Sequence, residues 1–362
     1  MESYRSAGVD YDKLDAAKRT AMTAARKTEP YLRSLGFSGV PASRGQSAYV
    51  FRQGPNYFAS VLECLGTKSV LAREYLEAGG QDHFGDVAYD TVAAVLNDLV
   101  SVGALPLVVH AYFAAGASFP PERYIRLVQG WQDACDDAHA CWGGGETPTL
   151  AGLIGDEDID LAGSATGMIP AGREPVLGEA LEAGHDIILI SSSGIHTNGI
   201  TLARSVARKL DRGLRTLLPG GRELGDVLLT PSHVYANLVA ALAEQDLDVS
   251  AMMHLTGHGL RKIMRADTDV TYRISKLPPV PAELAFLAAR AGLPPAEAYG
   301  TWNMGAGYAI CCPPASTARV LDCAGQLGYS ALLAGQTEQG PKRVILEPIE
   351  VTYDAGTLRL SC

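Results

Sequence analysis

A two-domain α/β protein is the architecture this sequence predicts, and three observations carry the prediction. Helical and strand-like patterns alternate along the chain between Gly/Pro punctuation, as expected of α/β layers. With 362 residues, 47% of them hydrophobic, the chain can fill two substantial cores. The run IPAGREP (169–175) interrupts the alternation, predicting an N-terminal domain over 1–170 and a C-terminal α/β domain over 171–362.

In the first half, NYFASVL (56–62), ALPLVVHAYFAA (104–115) and DIDLAGSATGMI (158–169) read as strands. Between them, AYDTVAAVLNDLVSVG (88–103) and PERYIRLVQGWQDACDDAHA (121–140) carry helical periodicity. The second half opens on the buried-strand run DIILISSS (186–193). Helices follow in GITLARSVARKL (199–210) and SHVYANLVAALAEQ (232–245), then further strands and the closing RVILEPIEVTY (343–353).

Composition narrows the function. A charged fraction of 19% and a net charge of −10 argue against a nucleic-acid or acidic-membrane surface, so a phosphate ligand must meet a local basic pocket. Cys64, Cys135, Cys141, Cys311, Cys312, Cys323 and Cys362 form no Cys-x-x-Cys pair, which fits reduced thiols in the cytoplasm and suggests no zinc site. No stretch has the apolar core of a signal peptide or the roughly 18 apolar residues of a membrane span. No Gly-x-Ser-x-Gly elbow or Gly-x-Gly-x-x-Gly turn supports a serine hydrolase or a dinucleotide site.

Several stretches pair residue types that bind phosphate or metal. VLECLGTKSV (61–70) sets Glu63 before Gly66, Thr67 and Lys68: backbone N–H groups, a hydroxyl and a cation for anionic oxygens, and a carboxylate for a divalent ion. The same residues also close plain turns, and the full Walker spacing is missing. Asp90 and Asn97 lie seven apart, about 20° from each other on a helix, with Asp98 one step round and Val92, Val95, Leu96 and Leu99 as the core stripe. That polar face is either a ligand site or a solvated surface. WGGGETPTL brings Gly144 and Gly145 beside Glu146 and Thr147, letting backbone amides approach a ligand. SSSGIHTNGITLARS runs from a buried strand through Ser193, His196 and Asn198 into a helix N-terminus that favours an anion; a loop histidine and a helix cap are the plainer account. HLTGHGLRKIMR repeats the logic at Thr256, Gly257 and His258, with Arg261, Lys262 and Arg265 as a basic wall or as the outer face of a helix. Asn303 in TWNMGAGYAI reads as structural.

The order of these motifs is more specific than any one of them. YRSAGVDYD, GTK, NDLVSVGALPL, GGETPTLAG, DIDLAG, SSSGIHTNGITLAR, LLTPSHVY, HLTGHGL and NMGAGYAI follow the order of the aminoimidazole ribonucleotide synthetase (phosphoribosylformylglycinamidine cyclo-ligase) family, which the chain resembles from Tyr4 to about Pro348. The resemblance implies a homodimer paired through the N-terminal domain and an ATP- and Mg2+-dependent cyclisation of formylglycinamidine ribonucleotide, a small phosphorylated substrate, in purine biosynthesis. It implies Glu63, Asp98 and Glu146 as metal ligands. ATP contacts would come from Arg44, Gln46, Ser47, Gly66, Thr67, Lys68, Asn97, Gly144, Gly145 and Thr147. Ser193, His196, Asn198, Thr256, Gly257 and His258 would meet the substrate, with His196, Asn198 and Lys68 catalytic.

Departures mark this chain. The family's Asp-Gly-Val-Gly-Thr-Lys is Glu63-Cys64-Leu65-Gly66-Thr67-Lys68 here, and its Gly-Gly-Phe-Gly segment becomes SRGQSAYVF, with Arg44, Gln46 and Ser47 standing for backbone contacts. Ala111 replaces an Asp, Thr149 the second acid after Gly-Gly-Glu-Thr, and His258 the middle glycine of Thr-Gly-Gly-Gly. These changes bear on the substrate, and leave open a diverged enzyme activating another amide, formyl or carboxyl oxygen, or a non-catalytic nucleotide-binding dimer.

Overall fold

The computed structural model describes residues 11–358. The start of YRSAGVDYD and Cys362 lie outside them. Helices α1 (Tyr11–Arg26) and α2 (Pro30–Ser34) precede strands β1 (Ser38–Gly39), β2 (Tyr49–Gln53) and β3 (Asn56–Cys64). Then come α3 (Lys68–Glu77), α4 (Phe84–Val100), β4 (Leu105–Ala115), α5 (Pro121–Asp137), β5 (Cys141–Glu146) and β6 (Ile159–Met168). The six strands form one sheet in the order β1-β2-β3-β6-β4-β5, antiparallel except for β4 with β5, whose crossover is α5.

Residues beyond 168 build a second sheet from β7 (Asp186–Ser191), β8 (Ala251–His254), β9 (Val270–Ile274), β10 (Ala306–Cys312), β11 (Ala331–Gln339), β12 (Arg343–Leu346) and β13 (Val351–Asp354), ordered β13-β12-β9-β11-β7-β10-β8. Its helices are α6 (Ile200–Ala207), α7 (Leu224–Leu228), α8 (Ala236–Glu244), α9 (Ala282–Ala291), α10 (Pro295–Tyr299) and α11 (Pro314–Gln326), with a 3-10 helix at Gly259–Arg265. DIILIS is apolar without alternation because β7 lies between β11 and β10 and is covered on both faces. The N-terminal sheet alternates instead. Along β6 buried Leu161, Gly163, Ala165 and Gly167 face α4 and α5, while Ala162, Ser164, Thr166 and Met168 face outward.

Helix α4 joins the two halves. Fourteen of its residues are buried, because one side covers β3 and β6 while the other meets α8 and β8 of the second half. The side predicted to be either ligand-bearing or solvated is thus buried at the joint. Among the described residues no helix is long and apolar enough to cross a membrane. The described cysteines carry free thiols.

Candidate active site between the two halves

Five segments meet in a cleft of about 290 Å³. The end of β3 brings Glu63 and the turn brings Leu65, Gly66 and Thr67; α4 brings Ala94 and Asp98; β8 ends there at His254, followed by Thr256; and Thr197–Thr201 closes the far wall. Thr67 is the N-cap of α3 and Gly199 the N-cap of α6, so two helix N-termini face one another, with Thr67 Oγ1 and Thr201 Oγ1 3.1 Å apart. Orphan N–H groups and the positive ends of two helix dipoles are thereby directed at one space, which suits an anion. Glycine is required at 199: its φ is +78°, and a Cβ there would overlap the Trp302 indole.

The floor holds an acid pair of unequal character. Burial and then the charge of Asp98 push the Glu63 carboxyl up to about 7. Asp98 faces the same burial, yet Lys262, the His254 hydrogen bond and Arg265 outweigh it and hold Asp98 well below the usual carboxylate range. His254 Nδ1 lies 2.8 Å from Asp98 Oδ1, and burial keeps the ring neutral, so its N–H donates to an ionised carboxylate. Lys262 is buried and donates to Thr256 Oγ1. Glu63 and Asp98 are the adjoining oxygen donors that would hold a hard divalent cation such as Mg2+, which would there offset negative charge on a phosphate chain.

Glu146 does not join that pair. Cys64, Ala162, Tyr112 and Glu146 are register partners across β3, β6, β4 and β5, which puts Glu146 three strand spacings, about 14 Å, from Cys64. Its row faces outward, whereas Glu63 shares the inner row of Gly163. The expected three-carboxylate site therefore does not form within one chain, and no group of three or more His, Cys, Asp or Glu ligands exists among the described residues. Gly144 and Gly145 belong to the edge strand β5, not to a phosphate loop, and Thr147 is exposed just beyond it. A Cβ at Gly145 would overlap Ala111 O, so this glycine serves strand pairing.

Lys68, expected on ATP phosphates, turns into the joint instead. Its side chain is fully buried, with Nζ 2.5 Å from Asp90 Oδ2, 2.9 Å from His196 O and 3.4 Å from Thr230 O. An ammonium has three N–H donors, so none remains for a ligand. Asp90 also accepts from Ser232 N (2.7 Å) and Ser232 Oγ. Asn97, one turn pair further along α4, donates to His233 O and accepts from Tyr235 N, both at 2.8 Å. The shared face of Asp90 and Asn97 thus clamps the strap 230–235 of the second half, correcting the nucleotide role given to Asn97.

Ser193 Oγ is spent on Pro231 O at 2.6 Å, and its N–H donates to His196 Nε2 at 3.2 Å. His196 has φ +59° and is 2% exposed; its ring sits behind the cleft wall. Burial, then His254, His233 and Lys68, keep that ring neutral. Asn198 does line the cleft, with Nδ2 3.2 Å from Thr197 Oγ1. Gly257 and His258 lie just past Thr256, and His258 does not line the cleft: it occupies φ +75° at the start of the 3-10 helix, where its carbonyl accepts from Arg261. Arg44 and Gln46 line a different cavity, and Ser47 follows them in the same loop. Asn303 is structural, holding Gly194 O at 2.8 Å.

Sequence reasoning passed over His254 and Thr201. The signal available for His254 was its place as the last residue of a strand entering a Thr-Gly turn, where α/β sites gather. Thr201 had none, since its role arises from Thr67 across the domain joint.

Residues 45–169 match the family described as AIR synthase related protein, N-terminal domain, and residues 182–347 match its C-terminal domain. A phosphoribosylformylglycinamidine cyclo-ligase from Anaeromyxobacter sp. (strain Fw109-5) is 33% identical over 354 residues, 96% of this chain and 99% of that one. One of the same name from Methanothermobacter thermautotrophicus (strain Delta H) is 30% identical over 331 residues, 91% and 93% of the two chains. Among solved structures, hydrogenase maturation protein HypE in complex with ATP shares the fold with a TM-score of 0.58 at 15% identity, over 86% of this chain and 88% of that one. With both domains matched in order over most of its length, the chain belongs to the AIR synthase related family.

Proposed function

We propose that this protein is a phosphoribosylformylglycinamidine cyclo-ligase that binds ATP and Mg2+ in the cleft between its halves and works as a homodimer in the cytoplasm. The observation that carries the reading is the pair of helix N-termini, Thr67 and Thr201 at 3.1 Å, beside the Glu63–Asp98 pair. The names of relatives similar over nearly the whole chain point the same way, and a structural neighbour is described with ATP.

The substrate's neutral amide oxygen is a poor leaving group. Transfer of the ATP γ-phosphoryl group to that oxygen releases ADP; an amidine nitrogen then attacks the same carbon, the C–O bond breaks with release of phosphate, and loss of a proton completes the imidazole ring. The chain's contribution is alignment and charge. The amides at Gly66–Thr67 and Ile200–Thr201 receive phosphate oxygens, Asn198 and Thr256 border the reacting groups, and Lys262 and Arg265 stand behind Glu63 and Asp98. When bound between those carboxylates, Mg2+ would neutralise charge on the phosphate chain. Dimerisation is assigned to the outer face of the N-terminal sheet, where Phe58, Leu62 (72% exposed) and Met168 lie among Ser60, Ser164 and Thr166. Glu146 belongs to that face.

Incubation with ATP, Mg2+ and formylglycinamidine ribonucleotide should yield aminoimidazole ribonucleotide and ADP in equal amounts. ADP formed without imidazole product, or neither, removes the assignment.

A further inference from the structure

A second cavity of about 330 Å³ opens where the loop after α2 meets the linker at 177–179 and the end of the 3-10 helix. Among the described residues Arg26, Arg44, Arg265 and Lys342 line it together with Glu179 and Asp267, a concentration of positive charge in a chain whose net charge is −10. We propose that this cavity binds a phosphate-monoester dianion, the ribose 5-phosphate end of the substrate; naming the ribose rests on the cyclo-ligase reading.

The cations are held but not consumed. Arg44 is set by Glu29 at 3.0 Å and by the Tyr49 ring 4.7 Å below its guanidinium. Lys342, its side chain 16% exposed, has Asp267 at 3.7 Å, a carboxylate 93% in solvent. Arg265 Nε is buried and has no acceptor among the described residues. Gln46 Nε2 reaches Leu177 O at 3.3 Å and fixes the loop against the linker. Preset guanidinium and ammonium donors around one cavity suit an anion with three equivalent oxygens.

Arg265 connects the two sites. Its side chain lines this cavity at the end of the 3-10 helix Gly259–Arg265, and Lys262 of the same helix donates to Thr256 in the wall of the cleft. A ligand whose phosphate sits beside Arg44 and Lys342 therefore extends toward the carboxylate pair. On the cyclo-ligase reading the ATP phosphates go to the helix N-termini at Thr67 and Thr201, so the group left for this cavity is the one that is not transferred. Binding a remote, non-reacting phosphate is an effective way to orient the reacting end.

Titration calorimetry with ribose 5-phosphate, ribose, and Mg2+ with a non-hydrolysable ATP analogue tests the inference on the full chain. Wild-type protein should bind ribose 5-phosphate but not ribose, with inorganic phosphate competing. Lys342→Gln should weaken ribose 5-phosphate roughly tenfold or more and leave the ATP analogue within about twofold. Arg44→Gln, read the same way, replaces it if Lys342→Gln melts early. No binding of ribose 5-phosphate, unchanged binding by both variants, or a loss confined to the ATP analogue overturns the proposal. Failure to turn over formylglycinamidine ribonucleotide would instead sink the cyclo-ligase reading and leave this titration to decide the cavity.

Discussion

Two polar sets on helix α4 stand about 100° apart and have opposite characters. Asp90 and Asn97 are closed: their side chains bond Lys68, Ser232 and the backbone of His233 and Tyr235, and both are 0% exposed. Asp98 is open. It is pressed against Glu63, which repels it, and against His254, and it borders the cleft. The first set satisfies itself and joins the domains; the second leaves like charges together and depends on cations to be comfortable. Chemistry is to be sought where polar groups are left in tension, and a helix can carry both kinds of site one residue apart.

The largest effect separating the sets should come from Lys68. Removing the ammonium in Lys68→Ala leaves Asp90 buried and unpaired, which costs about 3–5 kcal/mol. Urea denaturation should show a lowered midpoint, while nucleotide affinity of the remaining folded protein holds. Normal stability with selective loss of ATP binding would return Lys68 to the phosphates and erase the contrast.

Asp98→Asn should act the other way round. The Mg2+ concentration for half-maximal activity should rise roughly 10–100-fold, with a much smaller change in denaturation midpoint. An unchanged Mg2+ requirement would mean that the pair is no metal site.

Glu63 supplies a pH test of the same tension. Its carboxyl is raised from 4.5 to about 7 in the folded protein, so the native state keeps a proton that the unfolded state releases. Its effect is absent below pH 4.5, and stability falls as pH rises from about 4.5 to 7, by roughly 3 kcal/mol at most. Glu63→Gln, measured without Mg2+, should flatten that part of the stability profile. Mg2+ binding, which requires the proton to leave, should tighten across the same range in wild type. A Glu63→Gln profile parallel to wild type would show that the carboxyl is not under strain.

These contrasts explain what was legible beforehand. The α/β class and the major elements follow from local periodicity: NYFASVL is the core of β3, DIILISSS contains all of β7, and PERYIRLVQGWQDACDD is α5. WGGGE was harder, because β-strand pairing and ligand approach both select glycine, and only the register of β5 against β4 decides between them. Glu63, Thr67, Asp98, Asn198 and Thr256, singled out by separate motifs, line one cleft. Asn97 escaped because its partners, His233 O and Tyr235 N, are backbone groups more than a hundred residues away; Lys68 escaped because its ion pair with Asp90 is closed by two further distant carbonyls, His196 O and Thr230 O, which leave no mark in side-chain spelling.

His258 gives the smallest expected effect and the finest test of the comparison. The resemblance implies that His258 meets the substrate, yet its φ of +75° gives the family's glycine another meaning: the backbone here is left-handed, which glycine tolerates and other residues adopt at a cost of about 1 kcal/mol. The side chain is half-buried beside the cleft, and its carbonyl receives the Arg261 N–H at 3.2 Å whichever residue is present. His258→Gly should therefore relieve strain, offset by the extra freedom glycine has in the unfolded chain and by the imidazole's own contacts, for a net change within about 1 kcal/mol. KM for ATP and for the phosphorylated substrate should stay near wild type. A several-fold change in substrate KM at unchanged melting temperature would put the imidazole in contact with the ligand and make 258, like 98, a position governed by chemistry instead of by backbone.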